Sequence, residues 1–236
     1  MTYEHPWRLR RAIALWAALG LAAFVLLPWY FLQSGSLWGA LPGIWAGPTT
    51  ASGWVQAWSH HRAWLLSGPV GLVLASAALL VPLQPRLQGL LLCGGALLGL
   101  VGLLLCGFAI GMVGWSWDWL QAVAGPTEWT QPGVGWGGFV TVLSLLALLS
   151  IGVARLGGFK GDAFVAGAVL GCAALLALFV VYPVIKSLLG SVLNDEGQFA
   201  ASALWQRIGT ARIWGLGCVV GAGRCGVALS LIHISE

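Results

Sequence analysis

The sequence predicts an all-α, polytopic membrane protein with about five transmembrane helices and a short external amphipathic helix. Three observations carry this. Of 236 residues only 8% are charged and 59% are hydrophobic. Soluble domains carry roughly 25% charged residues, so this chain lacks the polar groups to coat a water-facing surface. Mean hydropathy is +0.90, and the apolar residues fall in runs that reach the ~20 residues needed to cross a bilayer core as a helix. The net charge of +4 comes from few residues. It bears on topology, so a lipid bilayer is the expected partner and nucleic acid is not.

Residues 1–11 form a polar tail with Arg8, Arg10 and Arg11 just before the first apolar run, Ala12 to Leu32. Arginines followed by an apolar run also describe a signal peptide. This run is long for one and no A-x-A site follows, so an uncleaved anchor is expected. Gln33 to Arg62 is rich in Gly, Pro, Ser and Trp. Trp38, Trp45, Trp54 and Trp58 mark it as interfacial, because indole favours the headgroup level.

The second span is Ala63 to Leu83, followed by a tight turn at Gln84-Pro85-Arg86. Gly89 to Val113 is the third span. Trp115 to Pro132 is a short loop carrying Trp115, Trp117, Trp119 and Trp129, with Asp118 and Glu128 as its charges. Val134 to Val153 is the fourth span, Arg155 to Asp162 a short loop, and Ala163 to about Ile185 the fifth span. The membrane domain thus covers 12–186. Gly95 with Gly99, Gly107 with Gly111, and Gly167 with Gly171 have the spacing that lets helix backbones approach closely in lipid.

Orientation follows from Lys and Arg in the short loops. The tail has Arg8, Arg10 and Arg11, the second connection Arg86, and the fourth Arg155 and Lys160, whereas the first and third offer only Arg62. Tail, second and fourth connections are therefore expected in the cytoplasm, and residues after Lys186 outside. There Asp195 with Gln198 fits a helix N-cap with a capping box. Phe199, Ala203, Leu204 and Ile208 follow on one helical face, with Arg207 and Arg212 near the end that the helix dipole prefers.

Candidate chemistry is sparse. Within the five apolar runs there is no Asp, Glu, Lys, Arg or His, whereas ion-coupled transporters and membrane enzymes place ionisable or catalytic groups there. No catalytic, cofactor-binding or metal-ligating residue is assigned, and the chain is not expected to be an enzyme. The five cysteines include no CxxC and no zinc spacing. Cys93, Cys106 and Cys172 sit in apolar runs as small hydrophobes. Cys218 and Cys225 can pair only if their segment is outside the cytoplasm; the odd count and the spacing favour free thiols. Gly221 to Gly226 matches GxGxxG but lacks the preceding strand and the later acidic residue of a dinucleotide site. His60-His61, beside Trp58 and Trp64, is the one histidine pair. Haem- or quinone-associated membrane proteins would use such a pair, but adjacent histidines project differently, so interfacial histidines are the expected reading.

One order of features points further. An apolar span ends at Tyr182-Pro183, Ser187 to Ser191 follow, and then Phe199 to Trp214 form a Trp-containing segment with DEGQF at Asp195 to Phe199. From Ala163 to Ala228 this resembles the entry to the permease core of binding-protein-dependent ABC importers, ferric-iron type, and the upstream spans resemble it by pattern. The resemblance implies a pore-forming subunit for ferric iron or a similar small solute in the bacterial inner membrane, with its N-terminus in the cytoplasm. It implies an ATP-binding subunit and a periplasmic solute-binding protein as partners. The Asn-Thr-Leu opening of the next span is missing where LSLIHISE begins, and so is the EAA loop that docks the ATPase. Residues 187–228 therefore read as an external segment leading to a missing core. Residues 229–236 resemble translated adapter sequence, an artefactual terminus on a truncated gene product.

Overall fold

The computed structural model describes residues 6–31, 43–45, 50–81, 84–110, 115, 118–124, 133–192 and 202. Among them no strand forms and five helices are long and apolar enough to cross a membrane: Trp7–Leu26, Ala63–Leu80, Pro85–Gly107, Trp136–Arg155 and Ala163–Leu188. The chain is an all-α, multi-pass membrane protein. It divides into two units, Met1–Ala174 and Leu175–Glu236.

In the first unit, α1 spans Pro6–Leu26. It starts earlier than the polar tail suggested, because Pro6 suits the first helical position and Arg8, Arg10 and Arg11 are good helix formers. The arginines still sit on its exposed first turns, with Arg11 4.7 Å from the Trp7 ring. The helix also stops before Leu32, because Pro28 has no N–H to donate and disfavours helix at Leu27. The chain from Leu27 onward is extended instead. There Trp29 N–H donates to Ala51 O (3.1 Å) and Phe31 N–H to Gly133 O (2.7 Å).

A short helix α2, Gly53–Trp58, lies within the Trp-rich loop. Its exposed Trp54 and Trp58 rings pair at 5.6 Å. The second span is a 3-10 turn Ala63–Leu66, helix α3 Ser67–Ser76, and a second 3-10 turn Ala77–Leu80. Helix α4 runs Pro85–Ala109. The expected tight turn at Gln84-Pro85-Arg86 is therefore corrected: Pro85 opens the helix at its first position. Helix α5, Asp118–Ala124, falls in the second Trp-rich loop, where only a loop was expected. Helix α6 is Trp136–Arg155. A turn with positive φ at Gly157, Phe159 and Lys160 reverses the chain. Asp162 then caps α7, Ala163–Leu176, accepting from Phe164 N–H (2.8 Å) and Val165 N–H (3.1 Å).

Helices α1, α3, α4 and α6 form an up-down bundle. Ile13, Leu72, Leu92, Leu145 and Leu148 are fully buried at its centre. The fourth span is central, with 61% of its most apolar window buried, against 6% for the fifth. Small residues set the approach of α3 to α4. A Cβ on Gly71 would lie 2.6 Å from both Gly95 O and Gly99 Cα, and one on Gly95 would meet Ala75 N and Gly71 O. The Gly95 and Gly99 spacing thus does mark a packing face. Gly107 and Gly171 face open space, while Gly167 lies in ordinary contact with Ser150. Gly111 lies outside the described residues.

At the end of the bundle that holds the start of α4, one polar clamp ties three elements. Arg155 Nε and Nη2 donate to Gln88 Oε1 at 3.0 and 2.7 Å, and Gln88 Nε2 donates to Ala78 O at 3.2 Å. Gln88 is buried, so removing it takes the acceptor from the Arg155 guanidinium and one of two donors from Ala78 O, which also accepts from Val81 N–H at 3.4 Å. Hydrogen bonds to charged groups contribute ~1.5–3 kcal/mol. Gln88→Leu and Arg155→Met should each lower stability by about 2 kcal/mol, and the double variant by little more than either alone. Thermal unfolding in detergent checks this; additive losses would show that the clamp does not act as a unit.

In the second unit a π-helical turn covers Ala177–Val181 and helix α8 covers Tyr182–Ser191. The surface helix expected from Asp195 lies outside the described residues, apart from Ser202, which is helical. Trp214, Cys218, Cys225, the GxGxxG run and the last eight residues also lie outside them. The spans Trp7–Leu26, Pro85–Gly107, Trp136–Arg155 and Ala163–Leu188 take in Arg8, Arg10, Arg11, Arg86, Arg155 and Lys186, so the expectation that no ionisable residue lies within the spans is corrected: the helices run past the apolar runs into their charged flanks.

Candidate functional site

The residues with unusual environments gather at the Trp-rich end of the bundle. Pro28 stops α1, and the extended chain brings Trp29 and Tyr30 back over the helix ends. Gly135 N–H donates to Trp29 O at 2.8 Å and Gly137 N–H to Pro28 O at 2.9 Å, fixing the start of α6 to this strap. Phe24, Trp29, Tyr30, Ala57 and Leu65 form a second buried cluster there, with Trp64 packed against it. Phe24 and Trp29 meet edge to face at 5.3 Å, and Trp64 and Trp115 at 5.1 Å.

Polar groups are folded into this aromatic cap. Ser52 and Gln56 are fully buried and Arg62 retains 7% exposure. The Arg62 guanidinium lies 4.7 Å from the Tyr30 ring centroid, a cation–π contact. Its backbone is held too: Arg62 N–H donates to Gln56 O (3.1 Å) and Leu65 N–H donates to Arg62 O (3.0 Å). Ser52 Oγ, His60 Nε2, Arg62 Nη1 and Trp64 Nε1 are buried with no hydrogen-bond partner.

The histidine pair does not converge. His61 is exposed with φ 53°, while His60 is half-buried with its Nε2 covered. Among the described residues no three His, Cys, Asp or Glu side chains gather into a metal-sized group. No protein-family profile, curated protein or solved structure matches this chain. The site must therefore be read from its own chemistry.

Burial, the Arg62 charge and His61 lower the His60 pKa below its ordinary 6.5. The unfolded chain then takes up the proton first as pH falls. The contribution of His60 to stability is complete above pH ~6.5 and is lost on acidification through that value. Unfolding temperature should drop between about pH 7.5 and 5.5, and less so in His60→Gln. His60→Gln with His61→Gln should leave expression and the visible absorbance spectrum unchanged; a lost cofactor band would assign the pair as ligands.

In the second unit, the span does not end at Tyr182-Pro183 as expected: helix continues through Tyr182–Ser191, and what marks the site is a wide turn just before it. Tyr182 N–H donates to Ala177 O, five residues back. Proline at 183 has no N–H, and one wide turn before it is a recognised way to absorb the disruption. Lys186 Nζ lies 5.9 Å from the Tyr182 ring. Hydropathy had no means of marking the wide turn, since ALFVV is as apolar as its neighbours. Arg62 was counted only as a loop charge. The signal that could have singled it out was its position between the Trp58 and Trp64 indoles, directly before an apolar run.

Proposed function

We propose that this chain is the membrane-spanning subunit of an ABC importer, carrying ferric iron or a similar small solute across the bacterial inner membrane. The observation that carries this reading is the π-helical turn within the fifth span. A π turn over Ala177–Val181 leads into Tyr182-Pro183, and helix continues only to Ser191. Such wide turns are found mostly at functional positions in helices. The order of a Tyr-Pro span exit followed by a polar segment is the one that resembles the permease entry. The lack of ionisable groups at the span centres favours a path driven by a partner. ATP hydrolysis on a separate subunit would bias alternating access, and a solute-binding protein would deliver the cargo. This subunit itself catalyses nothing.

The protein, tagged and purified in mild detergent, should bring down an ATP-binding subunit whose hydrolysis rises with the loaded binding protein. Purification of a haem- or quinone-bearing protein without an ATPase would overturn the assignment. The same reading places the N-terminus in the cytoplasm, where Arg8, Arg10, Arg11, Arg86, Arg155 and Lys160 would lie. Reporter fusions at Gly157 and Gly197 should then report opposite sides, with Gly157 inside. Finding both on one side would remove the five-span topology.

A further inference from the structure

Among the described residues, Arg62 is a buried cation without an anion. Its side chain makes the Tyr30 contact and no ion pair, and Nη1 has no acceptor. A guanidinium presents five in-plane N–H donors, and a ring beneath its face satisfies none of them. Burying such a charge unpaired is costly. The charged or titratable groups close by do not compensate: His60 and His61 can only add positive charge. Two residues along the chain, Trp64 Nε1 is another buried donor that lacks an acceptor, and Ser52 Oγ and His60 Nε2, in the same Trp-rich cap, can also donate. What these groups have in common is a missing acceptor.

Their place in the fold narrows the class of acceptor. Arg62 immediately precedes the second span, Ala63–Leu80. Trp54 and Trp58, exposed on α2, are the residue type that settles at headgroup depth. A multi-oxygen anion at headgroup depth is a phosphate.

We propose that the Trp-rich cap binds a phosphate group at Arg62, with the Trp64 indole and the Ser52 hydroxyl as further donors and His60 contributing when protonated. The phosphate belongs either to an anionic phospholipid headgroup or to a free phosphate ion. This site is independent of the transport reading.

The wild-type protein is compared in nanodiscs of phosphatidylcholine alone, of equal parts phosphatidylcholine and phosphatidylglycerol, and of phosphatidylcholine with added inorganic phosphate. Unfolding temperature and native mass spectrometry are the readouts. A rise and a retained lipid with phosphatidylglycerol only assign the lipid headgroup. A rise with inorganic phosphate as well assigns a site for the phosphate ion itself. No shift and no retained ligand in either case overturns the proposal and leaves Arg62 as a packing residue of the cap. Arg62→Gln should weaken the retained ligand about tenfold, the effect of losing one charge-assisted contact. Trp64→Phe keeps the ring and removes only the indole donor, so it tests the site should Arg62→Gln fail to fold. Retention equal to wild type in Trp64→Phe together with Arg62→Gln overturns the proposal.

Discussion

Gly95→Leu should destabilise the bundle by about 3 kcal/mol, while Gly94→Leu should leave it unchanged or slightly firmer. The two glycines are adjacent in α4, yet only one faces α3. A Cβ on Gly95 would press on Ala75 N and Gly71 O, whereas one on Gly94 meets nothing within 4 Å. Backbone atoms cannot rotate aside as a side chain does, so α3 and α4 must separate. Separation costs the dispersion contacts that hold helices together in lipid, where no hydrophobic driving force remains between them. It also uncouples Gly99 from Leu145 on α6, since a Cβ there would already lie 2.9 Å from Leu145 Cδ2. Gly94→Leu loses no contact and gains the better helix former. Steric trapping or thermal unfolding in detergent separates the pair of variants. Equal behaviour of the two would mean that α3 and α4 do not meet along this face.

On the importer reading proposed above, Pro183→Ala should reduce transport roughly tenfold while membrane insertion stays near wild type. A tenfold change corresponds to a bias of ~1.4 kcal/mol between two states. With an N–H restored at 183, ordinary α-helical bonding can extend back through Ala177–Val181, and the wide turn loses its reason to form. The helix exit would then rotate, and with it Tyr182 and Lys186, which now stack at 5.9 Å. Both side chains suit the membrane boundary, the phenol and ammonium reaching water from apolar stems. Solute uptake set against the amount of inserted protein measures the effect. Unchanged uptake would show that the interruption is incidental to transport. Equal losses of uptake and insertion would make it a folding feature only.

Hydropathy alone determined the class of this protein and the number of its spans, because a bilayer core demands long runs of apolar helix and leaves few alternatives. The Gly95 and Gly99 face was legible for the same kind of reason: spacing along one helix is a local property. Helix ends were less so. At Pro28 and Pro85 the same residue type has opposite effects, stopping α1 and starting α4, and the difference lies in which backbone donors each position would need. Other features exist only in three dimensions. Gly71 matters because of what α4 brings against it. Gln88 is an ordinary polar residue until Arg155, 67 positions away, and Ala78, on the preceding span, arrive at the same point. Arg62 looked like a loop charge that helped set topology, and the fold buries it beneath Tyr30. Sequence decides what each segment can tolerate next to lipid or water. Tertiary packing decides which polar groups end without water, and those groups are where this chain departs from a plain bundle of apolar helices.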